Sequence, residues 1–248
     1  MGIVLVAVVG DNGGMIEIPL LRLALSLLPV VVVGWISWRW SRGSNELAIA
    51  TARMVVQLLA VGYVLVLLFK VENPWVGLAV VAFMIVVSSW IAIRTVKKLR
   101  GRAYGDALLA IGIGGGAVFA LVVVGVLGLD PWYQPRYVIP IGGMIFSNAM
   151  TAVTLSAERF EAERDGGRGA VEARNAAWNA ALIPQVNSFL AVGLVALPGM
   201  MTGQILAGAS PLDAVRYQIM VMAMVMGSAG FAVALFLVRR VKQEHRAP

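Results

Sequence analysis

The sequence predicts an all-α protein: a polytopic integral membrane helix bundle of about seven spans plus a short re-entrant or surface segment, N-terminus outside and C-terminus inside. Three observations carry that expectation. Of 248 residues, 60% are hydrophobic and only 13% charged, about half the charged share of a soluble domain. Asp, Glu, Lys and Arg are missing from seven stretches: 23–38, 54–69, 73–93, 107–129, 137–157, 175–212 and 217–238. The basic residues between the stretches gather on one side of a seven-span threading.

Crossing the hydrocarbon core takes about 20 apolar residues as a helix. The first two stretches are short, but flanking Arg and Lys stems reach the interface and extend them. Strand alternation is weak, which argues against a barrel. Lipid offers the backbone no partner, so helices remain.

The elements follow in order. Residues 1–17 form an outer tail, 18–241 a single transmembrane domain with a charged inner loop at 158–174, and 242–248 a cytoplasmic tail. Span one covers Pro19–Trp40, with Trp35, Trp38 and Trp40 in an aromatic belt at its inner end. Ser44 or Asn45 is placed to cap the second helix, which runs to Phe69. Asn73-Pro74-Trp75 marks an outer turn, span three reaches Arg94, and span four runs from Asp106 to Leu129. An outer loop at 130–135 precedes span five, which starts near Val138. It continues into a charged extension, 158–165, that Gly166-Gly167-Arg168-Gly169 breaks. Stretch 175–212 is too long for one span. Pro198-Gly199 and Gly208-Ala209-Ser210-Pro211 divide it into a helix to Leu197 and a short segment, 200–207, that covers only about 12 Å.

The net charge of +7 raises the idea of nucleic acid, and position rejects it. Arg39, Arg42 and Arg53 follow span one. Arg94, Lys97, Lys98, Arg100 and Arg102 follow span three. Arg159, Arg164, Arg168 and Arg174 follow span five, and Arg239, Arg240, Lys242 and Arg246 follow span seven. The positive-inside rule puts this side in the cytoplasm, with Arg22 as an exception.

Chemistry is sparse. The chain has no cysteine and one histidine, His245 in the tail. No span centre carries Asp or Glu, which speaks against a tight metal cage or a proton relay. No ligand set selects a metal, and no tightly bound cofactor is expected. No G-x-x-x-x-G-K-[ST] occurs, so the chain has no P-loop of its own. No acid, base or nucleophile set marks an enzyme.

What remains is packing and polarity inside the spans. Gly112, Gly116 and Ala120, at i, i+4 and i+8, predict a close helix contact on one face of span four. Amides within spans are costly unless paired; Gln57, Asn148, Asn179, Gln185, Asn187 and Gln218 are such residues. The densest group is Pro184-Gln185-Val186-Asn187-Ser188. Met200, Met201, Met220, Met222, Met224 and Met226 make a methionine-rich end, read as adaptable packing. Candidate path or gate residues are Asn148, Pro184, Gln185, Asn187, Ser188, Pro198, Gly199, Met200, Met201, Gly203 and Gln218.

The run from Ala181-Leu182-Ile183-Pro184-Gln185-Val186-Asn187-Ser188 to Leu197-Pro198-Gly199-Met200-Met201-Thr202-Gly203-Gln204-Ile205 resembles the FetB family of ABC-transporter permeases. Tyr217-Gln218-Ile219, Arg53-Met54-Val55-Val56-Gln57-Leu58 and Ile139-Pro140-Ile141-Gly142-Gly143-Met144-Ile145 agree with it. That family is associated with iron export, and its plant relatives with aluminium tolerance. The resemblance implies a permease, in the cell inner membrane, that exports iron or another metal cation. It implies a separate ATPase that holds the ATP, and two copies of each subunit. The inner extension, with Arg159, Glu161, Arg164 and Arg168, would meet that ATPase. The chain departs from the family in a shorter loop at 161–169. Two other readings stand beside it: an ATPase-independent secondary transporter or channel, and a non-transporting membrane assembly subunit.

Overall fold

The computed structural model describes residues 19–41, 46–71, 73–96 and 100–244. The expected outer tail, the Ser44 or Asn45 cap, Lys97, Lys98, His245 and Arg246 lie outside those residues. Within them the protein is helical, and six helices are long and apolar enough to cross a membrane: Leu21–Trp40, Glu46–Leu68, Pro74–Ala92, Gly101–Val126, Pro135–Asp165 and Pro211–Glu244. The chain divides between Lys70 and Val71 into two compact units.

The first unit holds α1 (Leu20–Leu25), α2 (Leu28–Ser41) and α3 (Glu46–Leu68). Span one is therefore interrupted once. Ser26 Oγ donates to Leu23 O at 2.6 Å, and Pro29 follows in the first turn of α2, where its missing N–H costs nothing. No residue of α3 is buried. A bilayer makes such a helix stable, because its intrahelical bonds satisfy the backbone and lipid solvates the apolar side chains.

The second unit starts with α4 (Pro74–Ala92), capped by Asn73, whose Oδ1 accepts from Trp75 N–H at 2.9 Å. The next span is composite: α5 (Arg100–Ala110), a π-helical segment π1 (Ile111–Gly115), α6 (Gly116–Ala120) and a second, π2 (Leu121–Val126). Then come α7 (Pro135–Asp165), α8 (Ala170–Ala191), α9 (Gly199–Leu206) and α10 (Pro211–Glu244). The core lies around α7 and α10, with Phe146, Phe160 and Phe236 fully buried. Alanines let the helices close in: Ala173, Ala177 and Ala181 form the buried stripe of α8 at four-residue spacing, and Gln185 continues it.

Two expectations change. The close contact in span four falls on Gly114 rather than on Gly112 and Gly116. A Cβ on Gly114 would lie 2.8 Å from the Ala232 backbone N, whereas Gly116 has nothing within 4 Å, and Ala120 is exposed. The cause is the π segments, whose i→i+5 bonding breaks the 3.6-residue period on which the i, i+4 reading depends. The second change is in α8, which stops at Ala191 instead of Leu197. Val192 is extended and Gly193 takes φ +79°. Ala191 O then collects the N–H groups of Leu194, Val195 and Ala196 at 3.2, 2.8 and 3.1 Å.

Helix α8 is absent from the six because Glu172, Arg174 and four amides dilute it. It still runs the length of the unit. Its first half meets α10 where Trp178 approaches Gly230, and its end meets α10 near Val215. Pro184 sits inside it without ending it.

Candidate functional site

The second unit has a charged end and an apolar end. At the charged end, the last turns of α10 are tied to two neighbouring helices, α5 and α7. Asp106 of α5, 1% exposed, accepts from Arg239 Nε at 2.7 Å and from Gln243 Nε2 at 3.0 and 2.8 Å. Arg240 Nη2 meets Glu161 Oε1 at 2.5 Å, and Arg164 Nε meets Glu244 Oε2 at 2.6 Å. Glu163, nearly buried, holds Arg159 at 2.5 Å and Arg168 at 2.9 Å, and Arg164 Nη1 donates to Arg168 O. Trp90 packs edge-on against Tyr104, which brings the end of α4 to the same side. The four residues assigned to a partner contact therefore all have intrachain partners. Glu161 and Arg164 are fasteners, while Arg159 and Arg168 keep half of their side-chain surface exposed.

Most hydroxyls along the spans are satisfied locally. Ser88, Ser89, Ser147, Thr151, Thr154, Ser156 and Ser228 each donate to a carbonyl three or four residues earlier. Asn148, half-buried, does the same through Nδ2 to Met144 O at 2.8 Å. Such groups can face lipid or a neighbouring helix at little cost.

Three glutamines behave differently. The Oε1 atoms of Gln185, Gln204 and Gln218 are buried and accept no hydrogen bond within the protein. Gln185 is 5% exposed and Gln218 6%. A buried acceptor left unpaired costs about 1–3 kcal/mol. Three such acceptors, one each on α8, α9 and α10, need a reason.

At the apolar end, a cavity of about 410 Å³ gives Gln218 a setting. It is a partly open groove: Phe189 lines it from the end of α8, Gly193 and Pro198 from the turn that follows, and Met201 from α9, with Phe189, Leu197 and Ile219 still exposed. Gln218, Ile219 and Met222 line it from the second to fourth turns of α10. Gly193, at φ +79°, and Gly208, at φ +93°, reverse the chain on either side of α9. That geometry puts the 193–201 segment over the start of α10. The volume lies within the roughly 300–1,000 Å³ of small-molecule sites, which are mostly apolar with few polar groups.

The cavity thus unites Pro198, Met201 and Gln218 among the expected path residues. Gln185 is buried on α8 but does not line it. Pro184, Asn187 and Ser188 are exposed on α8, Gly199 and Gly203 are exposed on α9, and Met200 packs against the core. Phe189 and Ile219 were not expected, since apolar residues in an apolar span carry no mark of a cavity, and Met222 was expected only as packing in the methionine-rich end. Among the described residues no group of three or more His, Asp or Glu is placed to hold a metal ion.

Residues 20–244 match the family model described as "Uncharacterised protein family (UPF0014)". The chain belongs to the UPF0014 family. Its relatives include the probable iron export permease protein FetB of Escherichia coli, 35% identical over 236 residues that cover 88% of this chain and 90% of that protein. The UPF0014 membrane protein slr1647 of Synechocystis is 32% identical over 209 residues, covering 78% and 81%. Protein ALUMINUM SENSITIVE 3 of Arabidopsis thaliana is 32% identical over 201 residues, covering 75% and 72%. No solved structure matches the chain. The resemblance read from the Leu197–Gly203 run is therefore a family membership. The UPF0014 chain is a multi-pass membrane protein whose family includes a protein named as a probable permease.

Proposed function

We propose that this UPF0014 protein is the membrane permease subunit of an ABC transporter that exports iron or another metal from the cell across its inner membrane. A separate ATPase supplies the energy and holds the ATP. The observation that carries the reading is the convergence of Gly193, Pro198, Met201 and Gln218 on one cavity. These residues come from the stretch of sequence that also carries the resemblance to permeases. The similarity to a protein named a probable iron export permease supports the cargo.

The division of labour follows from the two ends. The charged end faces the cytoplasm, where the positive-inside rule places its arginines. There the half-exposed Arg159 and Arg168 meet the ATPase, while Glu161 and Arg164 pass its closure to α10 through Arg240 and Glu244. The cavity lies at the far end, where an exported substrate is released. A second permease copy completes the path. The exposed amides of α8, Asn179 and Asn187, face that copy, since lipid would leave them unpaired.

Reconstitution with the candidate ATPase, followed by ATP-dependent efflux of a panel of metals from vesicles, tests the reading. Efflux that needs both subunits, and that falls when Gln185 and Asn187 are replaced by leucine while insertion persists, is expected. ATP-independent flux from the permease alone would replace it with a secondary transporter or channel.

A further inference from the structure

We propose that the groove between the end of α8, α9 and the start of α10 holds one acyl chain of a bilayer phospholipid, and that Asp213 and Arg216 at its rim select a zwitterionic headgroup with a primary ammonium. The proposal stands on the membrane assignment and not on the permease reading.

Four observations lead there. First, the groove is open and its surroundings are apolar. Phe189, Leu197 and Ile219 line it and stay exposed, and Leu194 and Val195 are exposed in the turn beside it. Hydrocarbon, not water, is the solvent such a surface tolerates. Second, no charged side chain lines the groove. A volume of about 410 Å³ left empty in a bilayer forfeits dispersion contacts on every wall, and a flexible chain of methylenes restores them. Third, the groove has a headgroup end. The charge-free run 217–238 begins directly after Arg216, so Arg216 marks the edge of the hydrocarbon. It precedes Ala223, a lining residue, by seven positions, which puts the two within about 20° on one face of α10. The groove therefore runs about 10 Å down α10 from Arg216, at 1.5 Å per residue. Fourth, Arg216 and Asp213 lie one turn apart, both exposed, and meet only at 3.6 Å. So loose a surface pair holds little energy, and either group turns to a new partner at small cost. Arg216 takes the lipid phosphate, and Asp213 accepts from the ammonium.

The headgroup decides the selection, because an acyl chain gains little by leaving bulk lipid for walls equally apolar. The groove also faces away from the polar side of α8: Asn187 stands about 200° around that helix from Phe189. Lipid, rather than a second copy, is the occupant that matches both the apolar walls and the paired charges at the rim.

The test uses the full chain in nanodiscs of equal parts phosphatidylethanolamine, phosphatidylcholine and phosphatidylglycerol. Native mass spectrometry counts the lipids each chain retains. Phosphatidylcholine has no N–H to give Asp213, and phosphatidylglycerol has no cation. One retained phosphatidylethanolamine per chain is expected, favoured about three- to fivefold over either of the others. Asp213→Ala removes the preference, and Asp213→Arg passes it to phosphatidylglycerol. Ala223→Phe fills the groove below an intact rim and removes the retained lipid. Glycerophosphoethanolamine, the headgroup without its chains, does not displace it. Equal retention of the three lipids overturns the proposal, as does a preference that survives both Asp213 substitutions. Retention that survives Ala223→Phe, or displacement by the chain-free headgroup, overturns the groove assignment. Ile219→Cys supplies the chain's single thiol; a disulfide between copies at that position puts a second copy in the groove and overturns the lipid. Should Ala223→Phe not fold, Asp213→Arg, made at an exposed rim position, decides alone, and an unchanged preference overturns the proposal. Lipid retention needs no ATPase, so a failure of ATP-driven efflux leaves this site standing, and efflux without headgroup selection removes the site alone.

Discussion

Replacing Gly114 with alanine tests where span four meets α10. A Cβ there would sit 2.8 Å from Ala232 N, 2.9 Å from Phe231 C and 3.1 Å from Ala232 Cα. All three are backbone atoms, so no rotamer change relieves the contact. Carbon contacts are comfortable at about 3.5–4.0 Å, so π1 and α10 must part by roughly 0.7–1 Å. A gap of that size forfeits about a quarter to a half of the dispersion energy of each contact along the seam. Overpacking a filled core costs about 1–3 kcal/mol. Against this, alanine gains about 0.5–1 kcal/mol over glycine inside a helix. The net expectation is a loss of about 1–2 kcal/mol. Gly116 is the internal control, because nothing lies within 4 Å of its would-be Cβ. Gly116→Ala is expected to be neutral or to stabilise by up to about 1 kcal/mol. Thermal unfolding in detergent, followed by circular dichroism, reads both. At about 2–4 °C per kcal/mol for a chain of this size, Gly114→Ala melts below the native protein and Gly116→Ala at or above it. An unchanged Tm for Gly114→Ala, or a lower one for Gly116→Ala, would refute the claim that the π segments shift the contact.

Three further predictions follow from the same structure. Asp106→Ala removes the acceptor for Arg239 and Gln243 and is expected to cost about 2–3 kcal/mol, with Asp106→Asn costing less; denaturant titration in micelles measures both. Gly193→Ala forces a side chain into a left-handed conformation and is expected to lose about 1–2 kcal/mol, whereas Gly203→Ala, in open space on α9, loses nothing, which paired melts would show. Gln185→Leu removes an acceptor that has no partner and is expected to raise Tm by a few degrees, because an apolar replacement of similar shape ends the burial penalty. The same variant is expected to transport less, and vesicle efflux beside the melt checks the trade.

The helices were legible because lipid enforces them: six of the seven charge-free runs fall on helices long and apolar enough to cross a membrane, and glycine clusters such as 166–169 gave the breaks. What failed was periodicity inside a span. Reading Gly112, Gly116 and Ala120 as one face assumes an α-helix throughout, and nothing local in Ile111-Gly112-Ile113-Gly114-Gly115 announces i→i+5 bonding. The end of α8 was hidden for a related reason. Pro198-Gly199 is a stronger stop signal than a lone Gly193 in a valine- and leucine-rich run, yet Gly193 is where the chain turns. The cavity was half legible. Pro198, Met201 and Gln218 stood out as a helix breaker, a soft side chain and an intramembrane amide. Phe189 and Ile219 did not, since a wall residue and a lipid-facing one read alike, and Met222 stood out only as packing. The fasteners were least legible, because Asp106 and Arg239 lie 133 positions apart.

The length of α10 has a mechanical consequence. It is one helix of 34 residues with no proline after Pro211, pinned near one end by Arg239, Arg240 and Glu244. Gln218 sits about 33 Å up the axis from Arg240 at 1.5 Å per residue. The helix is therefore a lever with its handle among the ion pairs and its tip in the cavity wall. A tilt of about 10° at the handle moves the tip by about 6 Å over that arm, comparable to one helical turn. A displacement small enough to leave every ion pair made could carry Gln218 out of the cavity altogether.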